Sequence, residues 1–191
     1  MKITSIWNPK GGQGKSLLSI NIAAAAVELG LTPVVICQDP QGTSMLYYEG
    51  GNLPFIVLPE PPKKRINADL ILFDHQASEL EIPDANLLVM PTMPARDQYA
   101  TWANAYERAK KAKGKKIIKV VTNCNYSRKE EAEIAQTLKQ TGAFEVRASG
   151  VFSKAANDYY SIFHPKMNRA YKVRERRQEI NAILAAILQE D

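Results

Sequence analysis

The stretch Asn8-Pro9-Lys10-Gly11-Gly12-Gln13-Gly14-Lys15-Ser16 decides how the rest of the chain reads. It follows a short apolar run, Lys2–Trp7, that reads as a strand. It opens Ser16–Leu29, which reads as a helix closed by Gly30. Gly11, Gly12 and Gly14 let the backbone turn so that successive N–H groups point into one concavity. The helix start adds partial positive charge at the same place. The run fits the phosphate-loop pattern G-x-x-x-x-G-K-[ST], except that Pro9 stands where the pattern has its first glycine. In such a loop Lys15 neutralises β- and γ-phosphate charge, and the Ser16 hydroxyl ligates Mg2+.

Working outward, the rhythm is strand, loop, helix. Strands are expected at Pro33–Cys37, Asp69–Phe73, Asn86–Met90 and Lys116–Thr122, with further short ones at Phe55–Leu58 and Val146–Val151. Helices are expected at Arg96–Lys113, Arg128–Thr141 and Val173–Gln189, while residues 40–68 read as irregular and rich in Gly and Pro. Short apolar strands alternating with helices predict an α/β fold, a mostly parallel twisted sheet with helices on both faces. The chain has 191 residues, the size of one domain, so a single unit over 1–191 is expected. Cys37 and Cys124 sit in apolar runs and cannot form a disulfide framework, which points to a reducing, cytoplasmic setting. No signal peptide or spanning segment is visible, since the Leu17–Leu29 run is interrupted by Ser19, Asn21 and Glu28.

Charge is lopsided. Residues 1–100 carry 7 Lys/Arg and 10 Asp/Glu, and residues 101–191 carry 18 and 10. Such asymmetry suggests a polyanionic partner, nucleic acid or membrane. One basic run holds Arg108, Lys110, Lys111, Lys113, Lys115, Lys116 and Lys119, and reads as a solvated surface. The second holds Lys166, Arg169, Lys172, Arg174, Arg176 and Arg177, near Tyr159, Tyr160 and Tyr171, and is the preferred DNA face. In the last helix Ile180, Ile183, Leu184, Ile187 and Leu188 form one apolar stripe. It reads as packing on the sheet rather than as a membrane helix, because the chain ends Gln189-Glu190-Asp191.

The second lysine of the loop, Lys10, carries a family resemblance. The run from Lys10 to Ser16 resembles the K-G-G-x-G-K-[ST] loop of the ParA/MinD family, phosphate-loop ATPases of deviant Walker A type. Cys37-Gln38-Asp39-Pro40-Gln41-Gly42 is similar to the family's D-x-D-P-Q-G segment, with Cys37 in place of the first aspartate. Asp69–Asp74 is an apolar strand ending in a carboxylate, Walker B-like, but His75-Gln76-Ala77 stands where the family has a small residue and two prolines. His75 reads as a loop residue with a local hydrogen bond. Leu87–Pro94 followed by Asp97-Gln98-Tyr99-Ala100 resembles the family's strand-to-helix segment at the dimer face. The landmarks run from Met1 to Arg128, and the chain is most similar to small ParF-like plasmid partition ATPases.

The resemblance implies a nucleotide site of Lys10, Gly11, Gly12, Gln13, Gly14, Lys15, Ser16 and Leu17, with Asn123 at the adenine. It implies Mg2+ held by Ser16, Asp39 and Asp74, and catalysis by Lys15, by Asp39 positioning the attacking water, and by Lys10 reaching across an ATP-bridged homodimer. It further implies ATP and Mg2+ as cofactors, non-specific DNA and a centromere-binding adaptor as partners, no membrane, and slow ATP hydrolysis that partitions plasmid DNA. Alternatives are a MinD-like positioning ATPase on membrane, a ligase or synthetase using the same loop, and a nucleotide sensor that barely hydrolyses.

Overall fold

The computed structural model describes residues 1–39, 41–64 and 66–190. Pro40 and Asp191, both used in the sequence reading above, lie outside the described residues. Seven strands form one sheet: β1 (Lys2–Ile6), β2 (Pro33–Cys37), β3 (Ile56–Leu58), β4 (Leu70–Asp74), β5 (Leu87–Thr92), β6 (Lys116–Cys124) and β7 (Phe144–Arg147). Their order is β3-β2-β4-β1-β5-β6-β7, and every pairing is parallel. Strands buried on both faces need apolar residues at every position, and β2 (Pro-Val-Val-Ile-Cys) is buried throughout.

Among the described residues six α-helices accompany the sheet: α1 (Lys15–Glu28), α2 (Thr43–Glu49), α3 (Arg96–Lys111), α4 (Lys129–Gln140), α5 (Gly150–Asn157) and α6 (Val173–Gln189). The centre of α1, from Leu18 to Ala26, is buried on all sides. The polar residues that interrupt this run are satisfied inside the fold. The Ser19 hydroxyl donates to the Lys15 carbonyl (3.0 Å), the Asn21 side-chain amide donates to the Leu17 carbonyl (2.7 Å), and Asn21 Oδ1 accepts from the Ile162 N–H (2.9 Å). Gly30, at φ 76°, closes the helix.

The apolar stripe of α6 packs inward, with Ile180, Ile183, Leu184 and Ile187 buried and α1 as its main neighbour. Each such side chain contributes about 1.5–3 kcal/mol on burial. At its end Glu190 pairs with Lys116 (3.1 Å), and its carbonyl accepts from Lys2 Nζ. Among the described residues no helix is long and apolar enough to cross a membrane.

Two helices depart from the sequence expectation. α2 falls within the stretch read as irregular. It is seven residues between Gly42 (φ 65°) and Gly50, too short for an apolar period to emerge. The strand expected to reach Val151 ends at Arg147, because Ser149 caps α5: its hydroxyl accepts from the Val151 N–H (3.4 Å).

Candidate functional site

The loop from Asn8 to Gly14 joins β1 to α1 and is held from several sides. The Asn8 side-chain amide donates to the Pro91 carbonyl (2.7 Å), and Asn8 Oδ1 accepts from the Lys10 N–H (2.9 Å). The Gln13 side chain points inward. Its Oε1 accepts from the Met93 N–H (2.9 Å), and its amide donates to the Gly11 carbonyl (2.9 Å) and to Gln98 Oε1. Gln13 therefore offers a ligand its backbone rather than its side chain. Gly12 and Gly14 adopt φ of 73° and 83°, where an L side chain would be strained. α1 has no side-chain cap, so its first N–H groups are open to an anion.

Lys15 is buried, and its Nζ donates to the Lys10 carbonyl (3.2 Å). Burial pulls its pKa below the ordinary lysine value, opposed by the charges of Asp74 and Asp39. Lys10 lies at the lip and pairs with Asp97 at the start of α3 (2.7 Å). That ion pair holds the Asp97 carboxyl below the usual aspartate value.

Asp74 ends β4, next to Ile6 of β1 and Cys37 of β2 in register, and is fully buried. Its Oδ2 accepts from the Ser44 hydroxyl (2.5 Å), while Oδ1 has no hydrogen-bond partner. Burial pushes its pKa up, and the Ser44 and Ser16 hydroxyls and the Lys15 charge pull it back. A buried carboxylate oxygen without a donor fits a hard cation beside the Ser16 hydroxyl. Among the described residues no group of three His, Cys, Asp or Glu could hold a metal by itself. The Ser16 hydroxyl and the Asp74 carboxyl are oxygen donors of the kind that Mg2+ takes.

Asp39 sits half-buried after β2. Its Oδ1 accepts from the Gln41 N–H (2.9 Å) and its carbonyl from the Gly42 N–H (2.8 Å). Cys37, in place of the family's first aspartate, is buried, and burial raises its pKa. His75 is buried and makes the expected local bond, through Nδ1 to Glu79 Oε2 (3.1 Å), together with a long-range one through Nε2 to Ser5 Oγ of β1 (2.9 Å).

A cavity of about 350 Å3 adjoins the loop, lined by Gly12, Gly14, Leu17 and Met93 on one side and by Asn123 on another. Asn123 is exposed and left-handed (φ 54°). The third wall, Arg147-Ala148-Ser149 and Phe152, was not singled out by the sequence. The Ser149 cap before α5 was the signal that could have found it. Ser44, which holds Asp74, gave no signal at all. The structure thus brings Lys15, Ser16, Asp39 and Asp74 together, with Leu17 and Asn123 beside them.

The second basic cluster stands well away from the loop in sequence and is only partly available. Lys166, Arg169, Lys172 and Arg174 are exposed. Arg177 is tied to the Ile162 carbonyl (2.9 Å) and Asn168 (2.8 Å) over the Phe163 ring. Arg176, expected on the DNA face, is buried and paired with Glu179 (2.8 Å), which corrects that expectation. Helix periodicity turns it inward, beside Val173 and Ile180. Part of the first cluster works as pins: Arg108 donates to the Leu80 carbonyl (2.6 Å) and Lys119 to Thr141 Oγ1 (2.9 Å).

A parallel α/β sheet with a glycine-rich loop feeding a buried, uncapped helix defines a phosphate-loop nucleotide-binding protein. Residues 4–157 match the CobQ/CobB/MinD/ParA nucleotide binding domain, and the chain belongs to that family. Similar solved structures include Pyrococcus horikoshii MinD with Mg-ADP (TM-score 0.73, 15% identity, covering 98% of this chain and 97% of that one). A plasmid partition protein of Borrelia burgdorferi B31 bound to AMPPNP aligns at TM-score 0.72 and 14% identity over 97% of this chain and 98% of that one. The Cyanothece McdA–ATP complex aligns at 0.72 and 12% identity over 100% and 97%. At these identities the likeness speaks for the fold. Two Mycobacterium tuberculosis sequences, of uncharacterised proteins, are 30% identical over 91 residues, spanning 45% of this chain and 28% of theirs.

Proposed function

We propose that the chain is a ParA-like ATPase of the cytoplasm that dimerises on Mg-ATP, holds non-specific DNA in that state and hydrolyses ATP slowly to position plasmid DNA. The observation that carries this reading is the second lysine of the loop. Lys10 stands at the lip with its side chain 32% exposed and paired with Asp97; on dimerisation it would leave Asp97 and reach a phosphate of the second subunit. A cation supplied from a second subunit stabilises charge at the γ-phosphate only once the dimer forms. Ser16 and Asp74 would hold Mg2+, which polarises the phosphates, and Asp39 would orient water. Asn123 would meet the adenine. Lys166, Arg169, Lys172 and Arg174, with Arg177 at their edge, would contact DNA phosphates, and an adaptor protein would trigger release.

Light scattering with ATP, with ADP and with Lys10→Ala tests the switch. Dimers in ATP alone, lost in Lys10→Ala, support it. Dimers indifferent to nucleotide sink it. DNA retention should require ATP and fall with salt. Arg169→Ala with Arg174→Ala should weaken retention at least tenfold, and unaltered retention would remove these two residues from the DNA face.

A further inference from the structure

The two faces of the sheet are covered unequally. On one, α1 and α6 lie across the strands. On the other, Leu88, Met90 and Val121 meet Trp102, Ala105 and Leu138 of α3 and α4. The rest of that second face, over β2, β4 and β1, is bordered by residues 61–64, by Ile66 and by the loop 79–85. Parallel strands are normally buried on both sides. Ile3, on a central strand, is nevertheless 42% exposed, beside half-buried Ile71 and Phe73.

A groove of about 510 Å3 runs along this face, separate from the cavity beside the phosphate loop. Ile3, Phe73 and Ile82 give it an apolar floor, and Glu79, Glu81 and Asp84 line its rim. The rim is held in place from behind: Lys115 Nζ donates to the carbonyls of Pro83 (2.6 Å), Asp84 (2.8 Å) and Ala85 (3.0 Å). This cation occupies backbone oxygens and leaves the Glu81 and Asp84 carboxylates to others. Among the described residues Glu81 and Asp84 make no ion pair.

We propose that this groove docks an extended peptide segment of a protein partner, one in which Lys or Arg residues flank a bulky apolar side chain. The apolar floor takes the side chain and the rim carboxylates take the cations. The same rim repels nucleic acid, so the surface is distinct from any DNA face. If the groove paired with its own copy about a two-fold axis, the two acidic rims would face each other, which disfavours a second copy of this chain. The proposal stands apart from the DNA reading and survives its failure. The rim segment begins at Asp74, and its Ser78 N–H donates to the Pro9 carbonyl (2.7 Å), so an occupant and a nucleotide would lean on one stretch of backbone.

Fluorescence anisotropy with a labelled Lys-Phe-Lys-Leu-Arg peptide on the full chain tests it. Saturable binding is expected, weakened at least tenfold by Glu81→Lys with Asp84→Lys and at least fivefold by Ile3→Ser. Replacing the peptide's Phe and Leu by Ser should weaken it comparably. Unchanged binding of a fluorescent ATP analogue certifies that the variants are folded. Absent binding to the unaltered protein overturns the proposal, as does affinity indifferent to the rim variants or to the peptide's apolar residues. Sedimentation that reveals a dimer dissolved by the rim variants would assign the groove to a second copy, and overturn it too.

Discussion

The nucleotide pocket has two ends built in different ways. At the phosphate end nine consecutive residues, Asn8 to Ser16, supply the turn, the lysines and the hydroxyl, and the start of a helix buried in the core fixes them. At the end proposed for the base, Asn123 comes from one segment and Arg147 and Ser149 from another, and a residue of α6 braces the second: Glu179 accepts from the Arg147 N–H (3.0 Å). The first end is local in sequence and rigid by burial. The second is assembled at long range and rests on few bonds. Substitutions should therefore cost most at the phosphate end and fade toward the base.

The largest effect expected is loss of nucleotide binding in Lys15→Ala, at least 100-fold by calorimetry, since several charge-assisted bonds to phosphate, each about 1.5–3 kcal/mol, would vanish together. If Lys15→Ala binds within threefold of the unaltered protein, the phosphate end is misplaced. Next comes Asp74→Asn, expected to lower the Mg2+-dependent part of ATP affinity by about tenfold, in line with the loss of one charged contact.

The same variant has a second signature without ligand. Burial raises the Asp74 pKa above its unfolded value, so its stability contribution is full below the ordinary aspartate range and is lost as pH rises through the folded value. Urea denaturation at pH 4 and pH 7 should show Asp74→Asn gaining on the parent at the higher pH. A gain that does not grow with pH would mean the carboxylate is already compensated.

At the base end Ser149→Ala removes a helix cap worth about 1 kcal/mol and should weaken nucleotide binding only several-fold, with adenine and guanine forms affected unequally. The smallest effect is expected for Lys10→Ala. Its pair with Asp97 is exposed, so monomeric nucleotide affinity should stay within twofold. Base-end effects larger than those of Lys15→Ala would reverse the comparison.

Legibility in the sequence follows the same division. The phosphate loop, the apolar strands and α6 were readable because each is a local pattern: a turn composition, a buried run, a 3.6-residue stripe. α2 and α5 were not, being only seven and eight residues long. Ser44 and Glu179 matter through what they touch thirty or more residues away, and nothing in their neighbours announces it. Arg176 was misjudged because a basic run gives charge but not facing. In α6 the helix period buries that one arginine and leaves Arg174 outside.

The burial of α1 carries a consequence for motion. With its centre enclosed between sheet and α6, it cannot tilt or slide without breaking the core. It would be the stator if the proposed ATP cycle drives a movement. Any stroke driven by nucleotide must be taken up by the chain around it, the turn after Asp39 and the segment after Asp74. Amide exchange should show this as a still axle, with Leu18–Ala26 among the slowest sites whether or not nucleotide is bound.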